Sequence, residues 1–261
     1  MGYGILDKWI ADTFNCGPIL SGLLFFGILT WASDILALPF EWYNTFVIEE
    51  KFGFNKMTPK TFIFDTLKSW MVTLILGGGI LAGLLWLVAY FGENFWIIAW
   101  IAISIVLVLI NMFYSTVFVP LFNKQTPLED GDLKNAIFEF STKTGFKLDN
   151  IYVIDGSKRS TKANAYFCGF GPKKRIVLYD TLIKDLTIEE IVAVLAHEIG
   201  HYKKKHTLMM LATSILQMGV LLYLFGLFLA EPSFTEVLGI EYSPDKCYAS
   251  FYIMEKAYKS T

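Results

Sequence analysis

His197-Glu198-Ile199-Gly200-His201 places two imidazoles four residues apart, with a carboxylate directly after the first. A helix turns about 100° per residue, so both rings fall on one face, one turn apart, a spacing that suits two ligands on a single zinc ion. Glu198 then stands where it can take a proton from an attacking water, which is the chemistry of an HExxH helix in peptide hydrolysis. The chain has three histidines, and two of them occupy this pattern. The surrounding residues read as helix. Thr187-Ile188-Glu189-Glu190 has the form of a capping box, and Ile191, Val192, Val194 and Leu195 follow it.

A catalytic zinc site takes three protein ligands and leaves one position open. His206 is nine residues after His197, half a turn around a continuous helix, so it is expected to face away. Glu241 with Asp245 is the downstream carboxylate pair of suitable spacing, but an apolar block from 207 to 230 precedes it. The ten residues between would have to recross roughly 30 Å of hydrocarbon as bare extended chain, which a bilayer forbids. Glu241 is therefore not expected to ligate, and Tyr248–Met254 reads as the first turns of a fifth span.

The context of the motif is a membrane. Hydrophobic residues make up 54% of the 261 and charged residues only 18%, below the quarter or so of an ordinary soluble domain. The apolar residues come in blocks at 19–40, 67–91, 95–119 and 207–230, each near the roughly 20 residues that cross a bilayer core. The expected organisation is thus a mainly α, polytopic membrane protein. Residues 1–119 form a three-span region with a cytosolic loop at 41–66, 120–206 a small cytosolic α+β zinc-metalloprotease module, 207–230 a fourth span and 231–261 a lumenal or periplasmic tail. Lysines 51, 56, 60 and 203–205 fall on the side assigned to the cytosol, which follows the positive-inside rule. A net charge of −2 gives no argument for a nucleic-acid partner. Cys16, Cys168 and Cys247 lack metal-type or paired spacing.

The polar module reads as a helix over 130–144 ending at Gly145, a strand at Ile151–Ile154, and a β-hairpin of 163–170 and 175–179. No proline interrupts 188–230, so the zinc helix is expected to run on through the membrane as one rod. In metallopeptidases a cleft-edge strand can pair with an extended substrate. Ala163–Phe167, with Asn164, Ala165 and Tyr166, is the candidate strand here, and an ordinary edge strand with an exposed asparagine fits the same pattern. The aromatic-rich 41–66 loop reads as an interfacial belt.

Taken together, Thr45-Phe46-Val47-Ile48-Glu49-Glu50-Lys51-Phe52-Gly53-Phe54-Asn55-Lys56, Pro120-Leu121-Phe122-Asn123-Lys124, Asn164-Ala165-Tyr166-Phe167, Arg175–Leu182 and the histidine motif resemble the type I CAAX prenyl proteases. The resemblance implies zinc on His197 and His201, catalysis by Glu198, and a substrate lying along the strand that holds Asn164. It also implies a helical barrel around an intramembrane chamber. Implied substrates are prenylated CAAX proteins in eukaryotes and membrane proteins more generally in bacterial relatives, in the endoplasmic reticulum or bacterial cell membrane respectively. Family members carry further sequence at both ends, including a Glu-x-x-x-Asp motif that supplies the third ligand, so the resemblance implies a shortened chain. The alternative is a catalytically inactive relative acting as a membrane scaffold. An intramembrane site-2-type protease is disfavoured by Lys203–Lys205, which place the motif at an interface.

Overall fold

The computed structural model describes residues 2–91, 94–146, 148, 150–168 and 175–230. Long apolar helices dominate it. Helix α1 covers Gly2–Phe14, and α2 runs over Pro18–Tyr43 and continues through a π-helical stretch at Asn44–Glu49. Helix α3 (Pro59–Val72) passes through a second π-helical stretch into α4 (Gly78–Phe91). Helix α5 (Phe95–Phe113) likewise leads into the short α6 (Val119–Phe122). Four of these runs, Pro18–Glu49, Pro59–Phe91, Phe95–Phe122 and His206–Phe228, are long and apolar enough to cross a membrane. Most of their apolar side chains have no cover among the described residues. A polypeptide that leaves such surface bare in water would aggregate, whereas lipid tails cover it at no such penalty.

The segment 41–66, expected as a loop, is mostly helical: α2 and its π-helical extension reach Glu49, and α3 begins at Pro59. The aromatic residues that suggested an interfacial belt therefore lie largely on helix ends. Trp42, Phe46 and Phe62 pack against one another there in tilted and edge-to-face contacts, with ring centroids 4.3–5.7 Å apart.

The chain divides into two compact units. The described part of the first comprises residues 2–39, 69–91, 94–105 and 214–230, and its core joins Leu85, Leu87 and Val88 of α4, Phe95 and Ala99 of α5, and Leu222 of the last helix. Trp100 Nε1 donates to the carbonyl of Ile215 at 2.7 Å. Gly219 makes room for that indole, since a Cβ there would sit 2.9 Å from the ring.

The second unit, residues 40–68 and 106–213, holds a four-stranded sheet. Its strands are β1 (Gln125–Pro127), β2 (Asn150–Ile154), β3 (Ala165–Cys168) and β4 (Arg175–Tyr179), in the order β1-β2-β4-β3. β3 and β4 pair antiparallel, as a hairpin requires, and β2 lies parallel to β4. β1 was not foreseen, because three residues carrying a proline leave no alternation to read. Ile176 and Leu178 point from β4 into a core with Ile137 of α7 (Asp132–Lys143), Leu182 of α8 (Asp180–Asp185), and Ile191 and Leu195 of α9 (Ile188–Lys203). Val177 points the other way, towards Val119 and Ile154. All three β4 residues are fully buried, as befits a central strand covered on both faces. α7 ends where Gly145 adopts φ +65°, a left-handed stop that glycine takes at little strain.

Candidate metal site and substrate strand

Helix α9 opens on the expected capping box. Thr187 Oγ1 accepts from the Glu190 amide, and the Glu190 carboxylate accepts from the Thr187 amide at 2.8 Å. Ile191, Leu195 and Ile199, spaced at four residues, bury one face of α9. His197 lies about 160° around the helix from Leu195, so the packing that buries the apolar stripe turns the histidine face outwards. His197 and His201 are accordingly exposed and Glu198 half-buried.

The Nε2 atoms of His197 and His201 stand 3.1 Å apart. Two imidazole nitrogens at about 2.05 Å from a tetrahedral ion would be separated by roughly 3.3 Å, so the pair converges as two edges of one coordination shell. Nitrogen donors of this kind suit zinc and its first-row neighbours. Among the described residues no group of three His, Cys, Asp or Glu side chains gathers around a common point. Glu241 and Asp245 lie outside the described residues, as do the expected fifth-span residues.

The structure corrects the expectation of a single unbroken rod. α9 ends at Lys203, Lys205 turns left-handed at φ +56°, and α10 starts afresh at His206 and runs to Ala230. His206 therefore does not face away. Its Nδ1 is 2.8 Å from Nδ1 of His201, on the side of that ring remote from His197. The expectation failed because it assumed constant helical twist through a stretch with no proline, and three successive lysines gave no local signal of a left-handed residue. Lys203 Nζ donates to the Thr144 carbonyl at 2.8 Å, which ties the end of α9 to the end of α7.

Among the described residues β3 has β4 on one side and no strand on the other. Ala165 points into the core shared with α9, and Tyr166 lies on the opposite face of the sheet beside Tyr179. What β3 can offer an extended peptide is thus its backbone edge, together with the exposed Asn164 at its start. At present the Asn164 side-chain oxygen accepts from the amide of Ala165 at 2.8 Å, while its backbone carbonyl accepts from Tyr179.

A clamp on the approach to β3 was missed from sequence. Arg159 donates from Nε and Nη2 to both carboxylate oxygens of Asp65 at 2.7 and 3.0 Å, and also to Asn123 and to the Phe122 carbonyl. The 49–56 segment joins the same loop: Asn55 bridges to Ser160, Thr161 donates to the Phe54 carbonyl, and Lys162 pairs with Glu49 at 2.6 Å. One available signal was that Arg159 is one of only two arginines in the chain.

Comparison with known proteins agrees with this architecture. Residues 1–124 match the model of the CAAX prenyl protease N-terminal region, described by its five membrane helices, and residues 127–253 match that of peptidase family M48. The chain is 41% identical over 241 residues to CAAX prenyl protease 1 of Saccharomyces cerevisiae, covering 92% of this chain and 53% of that protein. It is 46% identical over 209 residues to the Arabidopsis thaliana homolog, covering 79% of this chain and 49% of that protein. The crystal structure of S. mikatae Ste24p superposes with a TM-score of 0.87 at 37% identity, over 97% of this chain and 62% of that one. The chain spans about half the length of the curated relatives it matches.

Proposed function

The chain belongs to peptidase family M48, among the CAAX prenyl proteases, an integral membrane metallopeptidase family, and on that premise we propose that it is a membrane-embedded zinc endopeptidase. The observation that carries this reading is the convergence of His197 Nε2 and His201 Nε2 at 3.1 Å on the face of α9 that also bears Glu198. Zinc held by these two nitrogens and a further ligand would polarise a scissile carbonyl and make water a stronger acid.

The protein groups then have separate tasks. Glu198, one residue from the first ligand, takes the proton of the attacking water and passes it to the leaving amine. β3 aligns an extended peptide by main-chain hydrogen bonds: Ala165, whose amide and carbonyl point away from β4, supplies the backbone edge, Asn164 an amide that can turn to the substrate, and Tyr166, paired with Val177 of β4, holds the strand in register. Exchanging the Asn164–Ala165 bond for one to a peptide is nearly even in energy, because each replaces the other. α10 follows α9 after two residues, so the reaction takes place close to the membrane boundary. Membrane-associated polypeptides fit such a site, and prenylated CAAX proteins are the substrate class suggested by the names of the relatives. The lysines at 203–205 favour a cytosolic position for it.

Zinc retained per chain after dialysis against a mild chelator, together with cleavage of a farnesylated CAAX peptide, tests the proposal. Wild type is expected to hold zinc and cleave, and His197→Ala to lose both. Glu198→Gln is expected to keep zinc while cleavage falls at least about 10³-fold, as removal of a general base in this role should produce. A Glu198→Gln protein cleaving at the wild-type rate would refute the assignment.

A further inference from the structure

The contact between His206 and His201 has no part in the two-ligand motif, and two observations define it. The first is the backbone turn at Lys205, without which His206 would lie about 140° around the helix from His201 and out of reach. The second is the meeting of the rings themselves, with Nδ1 atoms 2.8 Å apart, centroids 4.8 Å apart and planes inclined at 75°. The left-handed residue is the kind of local strain that persists when surrounding structure holds it in place.

A neutral imidazole has one N–H and one lone pair, so a bond between two Nδ1 atoms has a direction. If His201 Nδ1–H donates to His206 Nδ1, the lone pair of His201 is on Nε2, the atom that faces His197. If the bond runs the other way, His201 Nε2 carries the proton and cannot bind a metal. We infer that His206 is a positioning residue that accepts from His201 Nδ1–H, holding His201 in the tautomer and ring plane that present Nε2 to the metal. This rests on the zinc reading above. Metal-bound histidines are commonly oriented through their second nitrogen by a carboxylate, a carbonyl or water, and here an imidazole delivered by a helix break takes that place.

The test uses the full chain in detergent, with His206→Ala, His206→Phe and His206→Asn compared with wild type and His197→Ala. Asparagine can set Oδ1 near the position of Nδ1, whereas alanine and phenylalanine offer no acceptor. Zinc affinity is read by competition with a chromogenic chelator. Tautomers are read by 15N spectra of histidine-labelled protein, simplified by there being only three histidines. The alanine and phenylalanine variants are expected to bind zinc about 10- to 100-fold more weakly, with asparagine restoring most of the loss. The Nδ1–H signal of His201 should be present in wild type and diminished in the alanine variant. Wild-type zinc affinity in His206→Ala, or an asparagine variant as weak as alanine, overturns the inference while leaving the zinc reading intact if His197→Ala has lost its metal. Wild type that binds no zinc overturns both. If the variants fail to fold, the wild-type spectrum decides alone, since an Nε2–H tautomer at His201 is incompatible with the role.

Discussion

Lys205 is the residue on which the geometry around the histidines turns. A non-glycine side chain in the left-handed region crowds the following carbonyl and costs roughly 1–2 kcal/mol. Glycine would accept that conformation, and a β-branched residue would resist it more than lysine does. Lys205→Gly and Lys205→Val remove the same charge, so their difference isolates the backbone. Valine is expected to be less stable than glycine by about 1–2 kcal/mol in denaturant unfolding of the detergent-solubilised protein, and to hold zinc less well. Equal stability of the two variants would show that residue 205 is not left-handed in solution. At the same scale Thr187 secures the start of α9, and Thr187→Ala should cost about 1 kcal/mol, measured in the same unfolding experiment.

Among the elements, the loop between β2 and β3 is held by a largely buried ion pair. The Arg159 and Asp65 side chains are only 16% and 17% exposed, and the guanidinium satisfies four acceptors at once. Removing one partner strands the other in a poorly hydrated place, so Asp65→Ala should destabilise by about 3 kcal/mol. Replacing both with leucine should recover a good part of that loss, since two buried charges are then withdrawn together. Because the clamp precedes Asn164 directly, amide exchange in Ala165–Cys168 is expected to quicken in Asp65→Ala. Unchanged protection of those amides would mean that pairing with β4 alone holds the strand. Arg159→Lys keeps the charge but loses the two-pronged geometry, and should fall between wild type and Asp65→Ala.

For the molecule as a whole, the contrast lies between a sheet-bearing unit with a buried apolar core and long helices whose apolar faces have no cover among the described residues. In the first unit, helices α5 and α10 meet through a close backbone approach at Gly219 and the bond from Trp100 to Ile215. Small residues at such contacts let helices approach where lipid gives no hydrophobic drive between them. Gly219→Ala should push the indole aside and cost about 1–3 kcal/mol, whereas Gly219→Ala combined with Trp100→Ala should cost less than the sum of the two single changes. Strict additivity in that cycle, followed by thermal unfolding in detergent, would argue that the two residues do not touch.

Much of the candidate site's local geometry is legible in the sequence. The i, i+4 spacing of His197 and His201, the carboxylate between them and the Thr187–Glu190 cap are local patterns, and local helical geometry is sufficient to place the two imidazoles on one exposed face. The four apolar blocks were equally readable, because crossing a bilayer demands a length and composition that one stretch of sequence satisfies by itself. The parallel pairing of β2 with β4, the short β1 and the Arg159–Asp65 clamp join residues far apart in sequence, so no local pattern encodes them. The course of the chain at 203–206 also escaped the sequence. A left-handed lysine gains nothing locally, and its cost is met by surrounding contacts, among them Lys203 to the Thr144 carbonyl and His206 to His201. The sequence by itself thus determined the helices and the two-histidine motif, since each follows from neighbours a few residues apart. Only the tertiary structure decided where α9 stops and which ring meets His201, because those outcomes are set by the balance of distant contacts against local strain.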